Sequence, residues 1–155
     1  MDKCIFCKII ESGNNSSFFW EDNDFVAFLD KYPNTKGQTL VLPKKHYDSD
    51  ILKLDDSVYG KLLLAAKKVA LILENGLPVK RVALVCEGMG INHAHIKLYP
   101  LHGLNDEFIA MHGTHRIYFE KYDGYLSTLL GPEASEKDLV NLATQLKNCL
   151  TSCSS

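Results

Sequence analysis

From His93 to Tyr99 the stretch Gly90-Ile91-Asn92-His93-Ala94-His95-Ile96-Lys97-Leu98-Tyr99-Pro100 alternates polar and apolar side chains without a break. A period of two is the signature of a β-strand. Successive side chains on a strand face opposite sides, so Ala94, Ile96 and Leu98 form a core face, and His93, His95, Lys97 and Tyr99 share the other. Neighbours on that second face stand about 6.5–7 Å apart along the strand. Two imidazoles and an ammonium in a row cover a surface poorly and grip an anion well.

The remaining pattern supplies partners for this strand. Cys4-Ile5-Phe6-Cys7-Lys8-Ile9-Ile10 is a CxxC knuckle leading into a short apolar helix or turn. Phe18–Glu21 and Phe25–Asp30 are two strands joined at Asp22-Asn23-Asp24. Gln38–Pro43 is a third, ended by its proline, and Arg81–Cys86 a fourth, with Glu87-Gly88-Met89-Gly90 as a tight turn into the histidine strand. Val58, Leu62, Ala65, Val69 and Leu73 recur at helical spacing over Asp55–Asn75, with Asp55 or Asp56 as the cap and Gly76 and Pro78 as the stop. A terminal helix is expected over Ser135–Leu150, with Ser135 and Asp138 in capping-box spacing. Five strands without βαβ alternation argue for an α+β fold built on an antiparallel sheet. The 155 residues fit one domain, 1–155, with a core over 4–103 and a C-terminal extension over 104–155.

The formal charge of −2 argues against a general nucleic-acid or membrane-surface binder. No run reaches the length of a transmembrane helix, and the start lacks the apolar stretch of a secretory signal. The expected location is therefore the cytoplasm, where the five cysteines stay reduced.

His93-Ala94-His95-Ile96 resembles the histidine-triad (HIT) nucleotide-binding family, whose strand reads His-φ-His-φ-His with φ apolar. Three further blocks are similar to that family, in the same order: Cys4–Ile10, Phe25–Asp30 and Gly37–His46. The likeness covers about the first two-thirds of the chain. It implies a HIT-like fold, and a hydrolase or nucleotidyl transferase that works through a nucleotidyl-histidine. By position the nucleophile is His95, because a neutral imidazole is a competent nucleophile near pH 7. The resemblance makes Asp30 the ribose-binding acid, lets Phe28 wall the base pocket, and puts Gly88 and Gly90 in the nucleotide loop. It also implies a purine nucleotide (AMP or GMP type) and a twofold homodimer, with the long helix as a natural contact. The chain departs from the pattern at Lys97, which stands in the third triad position and would meet phosphate as a point charge. Cys86 stands where the family has Asn, and Met89 near the expected Gln. These departures keep a second reading open, a nucleotide-binding or sensing module without turnover.

Cys4, Cys7, His46 and His93 form a second constellation of four N/S donors, which suits tetrahedral zinc. Some bacterial histidine-triad proteins bind zinc at the matching positions, and such a closed site is structural. The CxxC alone reads equally well as two reduced, buried thiols. His102, His112 and His115 read as solvated loop histidines.

Overall fold

The computed structural model describes residues 4–13, 17–127, 135 and 137. The chain divides into two compact units, Met1–Ile109 and Ala110–Ser155. In the second unit residues 110–127 are irregular, and the Phe119 and Tyr125 rings meet edge-on at 5.0 Å. Most of the helix expected over Ser135–Leu150 lies outside the described residues.

The first unit is an α+β structure. Helix α1 (Ile5–Ser12) is followed by strands β1 (Phe18–Glu21), β2 (Phe25–Leu29) and β3 (Thr39–Pro43). A 3₁₀ turn over Ile51–Lys53 precedes the long helix α2 (Asp56–Gly76), then β4 (Val79–Val85) and β5 (Ile96–His102). The strands form one five-stranded antiparallel sheet in the order β1-β2-β3-β5-β4. No described helix is long and apolar enough to cross a membrane.

Both faces of the central strands are covered. Phe25, Ala27, Val41, Ile96 and Leu98 pack with Leu62, Ala65, Ala66, Val69 and Leu73 of α2. Val26, Phe28, Leu40 and Leu42 pack instead with Phe6 of α1, flanked by Ile9 and Ile10. This double cover explains why Phe25–Phe28 and all of β3 are buried residue after residue.

The termini of α2 differ from expectation. Asp55 occupies the N-cap, but its carboxylate caps no amide; its backbone carbonyl accepts from Val58 and Tyr59, both at 2.9 Å. At the other end Gly76 is still helical, and the turn ends at Leu77, which is extended at φ −124°. Pro78 accounts for this, since a proline ring disfavours helical dihedrals in the residue before it.

The histidine stretch also begins differently. The ladder between β3 and β5 pairs Thr39 with Leu98, Leu40 with Lys97 and Val41 with Ile96, and stops there. Continuing that register would set Leu42 against His95 and Pro43 against Ala94. Pro43 has no N–H to give. The backbone upstream turns elsewhere: Ala94 N donates to Tyr47 O and His93 N to Ile91 O, each at 2.8 Å. The strand thus begins at Ile96, with His93 and His95 in the segment that feeds it. The connection from β4 spans residues 86–95 and is no tight turn. Within β5 the expected alternation holds: Ile96, Leu98 and Pro100 are buried, and Lys97, Tyr99 and Leu101 partly so.

Leu62 is fully buried at the centre of the α2–sheet contact, whereas Leu52 is 80% exposed. Leu62→Ala is expected to cost about 2–5 kcal/mol of stability, and Leu52→Ala to stay within about 0.5 kcal/mol. Denaturant unfolding measures both, and equal effects would contradict this core.

Candidate functional site

Cross-strand register places the site. Directly opposed residues of neighbouring strands share a face. Phe18 opposes Phe28, Phe28 opposes Leu40, Leu40 opposes Lys97, and Lys97 opposes Val85. This row crosses the sheet on the side covered by α1. Beside it lies a cavity of about 670 Å³, within the size range of small-molecule sites. Phe28, Leu40 and Lys97 of the row line it, with Ile5, Phe6 and Ile9 of α1 forming an apolar wall.

His95 lines the cavity and is 3% exposed. Its Nδ1 lies 2.6 Å from the carbonyl of His93. A carbonyl only accepts, so Nδ1 carries the proton and Nε2 the free lone pair. Among the described residues Nε2 has no hydrogen-bond partner, and no buried side-chain nitrogen or oxygen is left unpaired. The free nitrogen therefore opens to the cavity. Burial, first of all, lowers the His95 pKa, and the Lys97 ammonium adds to this, against the pull of the His93 carbonyl, Glu87 and Asp30.

Asp30 follows β2 at the cavity rim. Its Oδ1 accepts from Tyr32 N at 2.9 Å and its Oδ2 from Gln38 Nε2 at 2.8 Å. Gln38 is itself fixed, its Oε1 accepting from Asn34 N at 2.8 Å. Each carboxylate oxygen keeps a lone pair for a hydroxyl. Lys97 is already paired, with Nζ 3.3 Å from Glu87 Oε2.

Of the two glycines, Gly90 lines the cavity and Gly88 does not. Gly88 is buried at φ +72°, where a Cβ would come 2.6 Å from Ser49 O. Its role is close approach of two loops. The same loops are clasped by Asn92, whose Oδ1 accepts from Ser49 N and whose Nδ2 donates to Asp48, both at 2.9 Å.

That clasp joins the segments carrying His46 and His93. Ligand atoms of Cys4, Cys7, His46 and His93 all lie within 4.8 Å of one another, positioned to hold a metal ion. His93 Nδ1 is 3.6 Å from both Cys4 Sγ and Cys7 Sγ, and His46 Nδ1 is 3.5 Å from Cys7 Sγ. Metal–sulfur bonds of about 2.3 Å and metal–nitrogen bonds of about 2.0–2.1 Å place S and N about 3.5 Å apart in a tetrahedron. The buried His93 ring donates Nε2–H to the Pro43 carbonyl at 2.9 Å, which leaves Nδ1 unprotonated toward the sulfurs. Such an outer hydrogen bond is what a ligating histidine needs to hold its tautomer and aim. Burial, above all, lowers the His93 pKa and favours the neutral ligand form. The donor set fits a metal.

Phe6 sits between the two constellations. Its ring meets His95 edge-on at 5.5 Å, and His93 and Phe28 at 5.9 Å each. Sequence reasoning assigned no role to Phe6, Gln38 or Glu87. The only available signal for Phe6 was its place inside CxxC; Gln38 and Glu87 gave none, because their partners depend on loop paths.

The HIT domain family profile matches residues 11–102, and the chain belongs to this family. Bacillus subtilis Protein hit is 33% identical over 119 residues, covering 74% of this chain and 81% of that one. The crystal structure of a hypothetical histidine triad nucleotide-binding protein from Sulfolobus tokodaii superposes with a TM-score of 0.60 at 32% identity, over 70% of this chain and 76% of that one. A HIT family hydrolase from Legionella pneumophila matches with a TM-score of 0.51 at 27% identity, over 63% of this chain and 91% of that one.

Removing a bound divalent metal with a chelator is expected to lower the melting temperature by at least about 5 °C. Cys7→Ser should melt at the lowered temperature with or without chelator. Coincident wild-type melting curves would contradict a metal role.

Proposed function

We propose that this protein is a nucleotide hydrolase or nucleotidyl transferase that cleaves a nucleoside monophosphate from a phosphoanhydride or phosphoramidate. The observation that carries this reading is the His95 imidazole, its Nδ1 tied to a carbonyl and its other nitrogen open to the cavity. His95 Nε2 attacks the α-phosphorus. An N–P bond forms as the bond from phosphorus to the leaving group breaks, and the leaving group takes a proton from solvent, which the later attack of water returns. Water then cleaves the N–P bond, releases the nucleoside monophosphate and restores the imidazole. Lys97 Nζ contacts the phosphoryl oxygens, a role for a positioned cation. Asp30, held by Gln38 and Tyr32, accepts from the ribose hydroxyls, and Phe28 and the α1 wall enclose a purine. Gly90 lends the cavity edge its small profile; Gly88 acts only by holding the loop.

Cys4, Cys7, His46 and His93 would hold zinc as a closed structural site. Zinc there supplies folding energy to the N-terminal segment. The thiol ligands favour a reducing cytoplasm. A second copy of the chain would pack against α2, which exposes Leu64 (60%) and Leu71 (49%). Light scattering on the purified chain should then read a dimer; a monomer at micromolar concentration would refute that assignment.

The existing Lys97–Glu87 pair favours a second reading, a binding module without turnover, because the cation is not free for the leaving group. One experiment separates the two. Incubation with adenosine 5′-phosphoramidate should release AMP and, after acid-free quenching, show AMP attached to His95. His95→Ala should lower kcat by at least about 10³-fold and leave AMP affinity within about threefold. Normal turnover by that variant overturns the mechanism; binding without any wild-type turnover supports the second reading.

A further inference from the structure

Lys97 emerges from the middle of the sheet on the cavity side, and Glu87 reaches it from the connection after β4. Their side chains are 24% and 14% exposed, so solvent screens the pair less than a surface bridge. Lys97 lines the cavity and Glu87 does not. The carboxylate therefore backs the ammonium without standing in a ligand's path. An isolated lysine beside His95 would offer a full positive charge to any phosphate. The pair offers a donor with a net charge near zero, and the other two charged residues of the lining, Asp30 and Lys31, are opposite in sign.

Substrate and product differ in charge at this point. An α-phosphoryl group with two substituents carries one negative charge. A released monophosphate carries close to two, since its second ionisation falls near pH 6.

We propose that Glu87 is a specificity-determining residue: by offsetting Lys97 it makes the phosphate subsite beside His95 select a monoanionic phosphodiester or phosphoramidate over a dianionic phosphate monoester. The proposal rests on the nucleotide reading above. It assigns Glu87 to product release as well as to substrate choice. Lys97 grips one negative charge, and the second meets the carboxylate behind it.

Calorimetric dissociation constants for three probes at pH 8 test this on the full chain. The probes are adenosine (neutral), the methyl ester of AMP (monoanion) and AMP (dianion). Wild type is expected to bind the methyl ester at least as tightly as AMP. Glu87→Gln should tighten AMP about tenfold and leave adenosine within about twofold. Adding Lys97→Met to that variant should erase the gain, which separates a charge effect from a packing one. An unchanged or weakened AMP affinity in Glu87→Gln, with adenosine still bound, overturns the proposal. So does a wild type that prefers AMP tenfold over the methyl ester, a result that needs no variant to fold. If wild type binds none of the three probes, the nucleotide reading itself fails.

Discussion

The hydrogen bond from His93 Nε2 to the Pro43 carbonyl, 2.9 Å long and fully buried on the histidine side, ties the sheet to everything that sits on it. Pro43 cannot extend the ladder to β5 because it lacks an N–H. Its carbonyl is left over and takes the histidine ring instead. That sets the His93 tautomer and turns Nδ1 toward two cysteine sulfurs. The bend it accompanies also brings the His93 carbonyl within 2.6 Å of His95 Nδ1. One missing donor in β3 thus sets the aim of His93 toward the cysteines and the tautomer of His95 together.

Much of this was legible in the sequence. Four strands and the long helix start and stop within two residues of where periodicity puts them, because double burial of β2 and β3 and the α2 stripe are written in the order of apolar residues. The fifth strand was placed too early. The alternation from His93 is real, but alternation reports facing, and a ladder also needs donors; Pro43 withholds one. Two donors for a metal, Cys4 and Cys7, could be collected by spacing, and His46 and His93 by their match to the histidine-triad pattern. Their convergence depended on the Asn92 clasp, which no local pattern encodes.

The charged part of the site was least legible. Lys97 was visible as a departure from a histidine pattern, and the phosphate contact proposed for it followed from its charge. Its partner was not visible. Glu87 sits in a stretch of glycines and Met89, and an acidic residue there looks like an ordinary solvated turn. Gly88 and Gly90 looked equivalent, yet a Cβ at Gly88 would come 2.6 Å from Ser49 O, which singles it out as a packing residue. Gln38 likewise gained meaning only once Asp30 and Asn34 were seen on either side of its amide.

Helix α1 has one more consequence. The ends of most domains tolerate trimming, because little is packed on them. Here the opening turn contributes two sulfurs to one constellation, and Ile5, Phe6 and Ile9 to the wall of the cavity next door. A protein cut at Gly13 would keep every residue of its five strands, its long helix and every histidine discussed above. It would still arrive with one side of the cavity open to water.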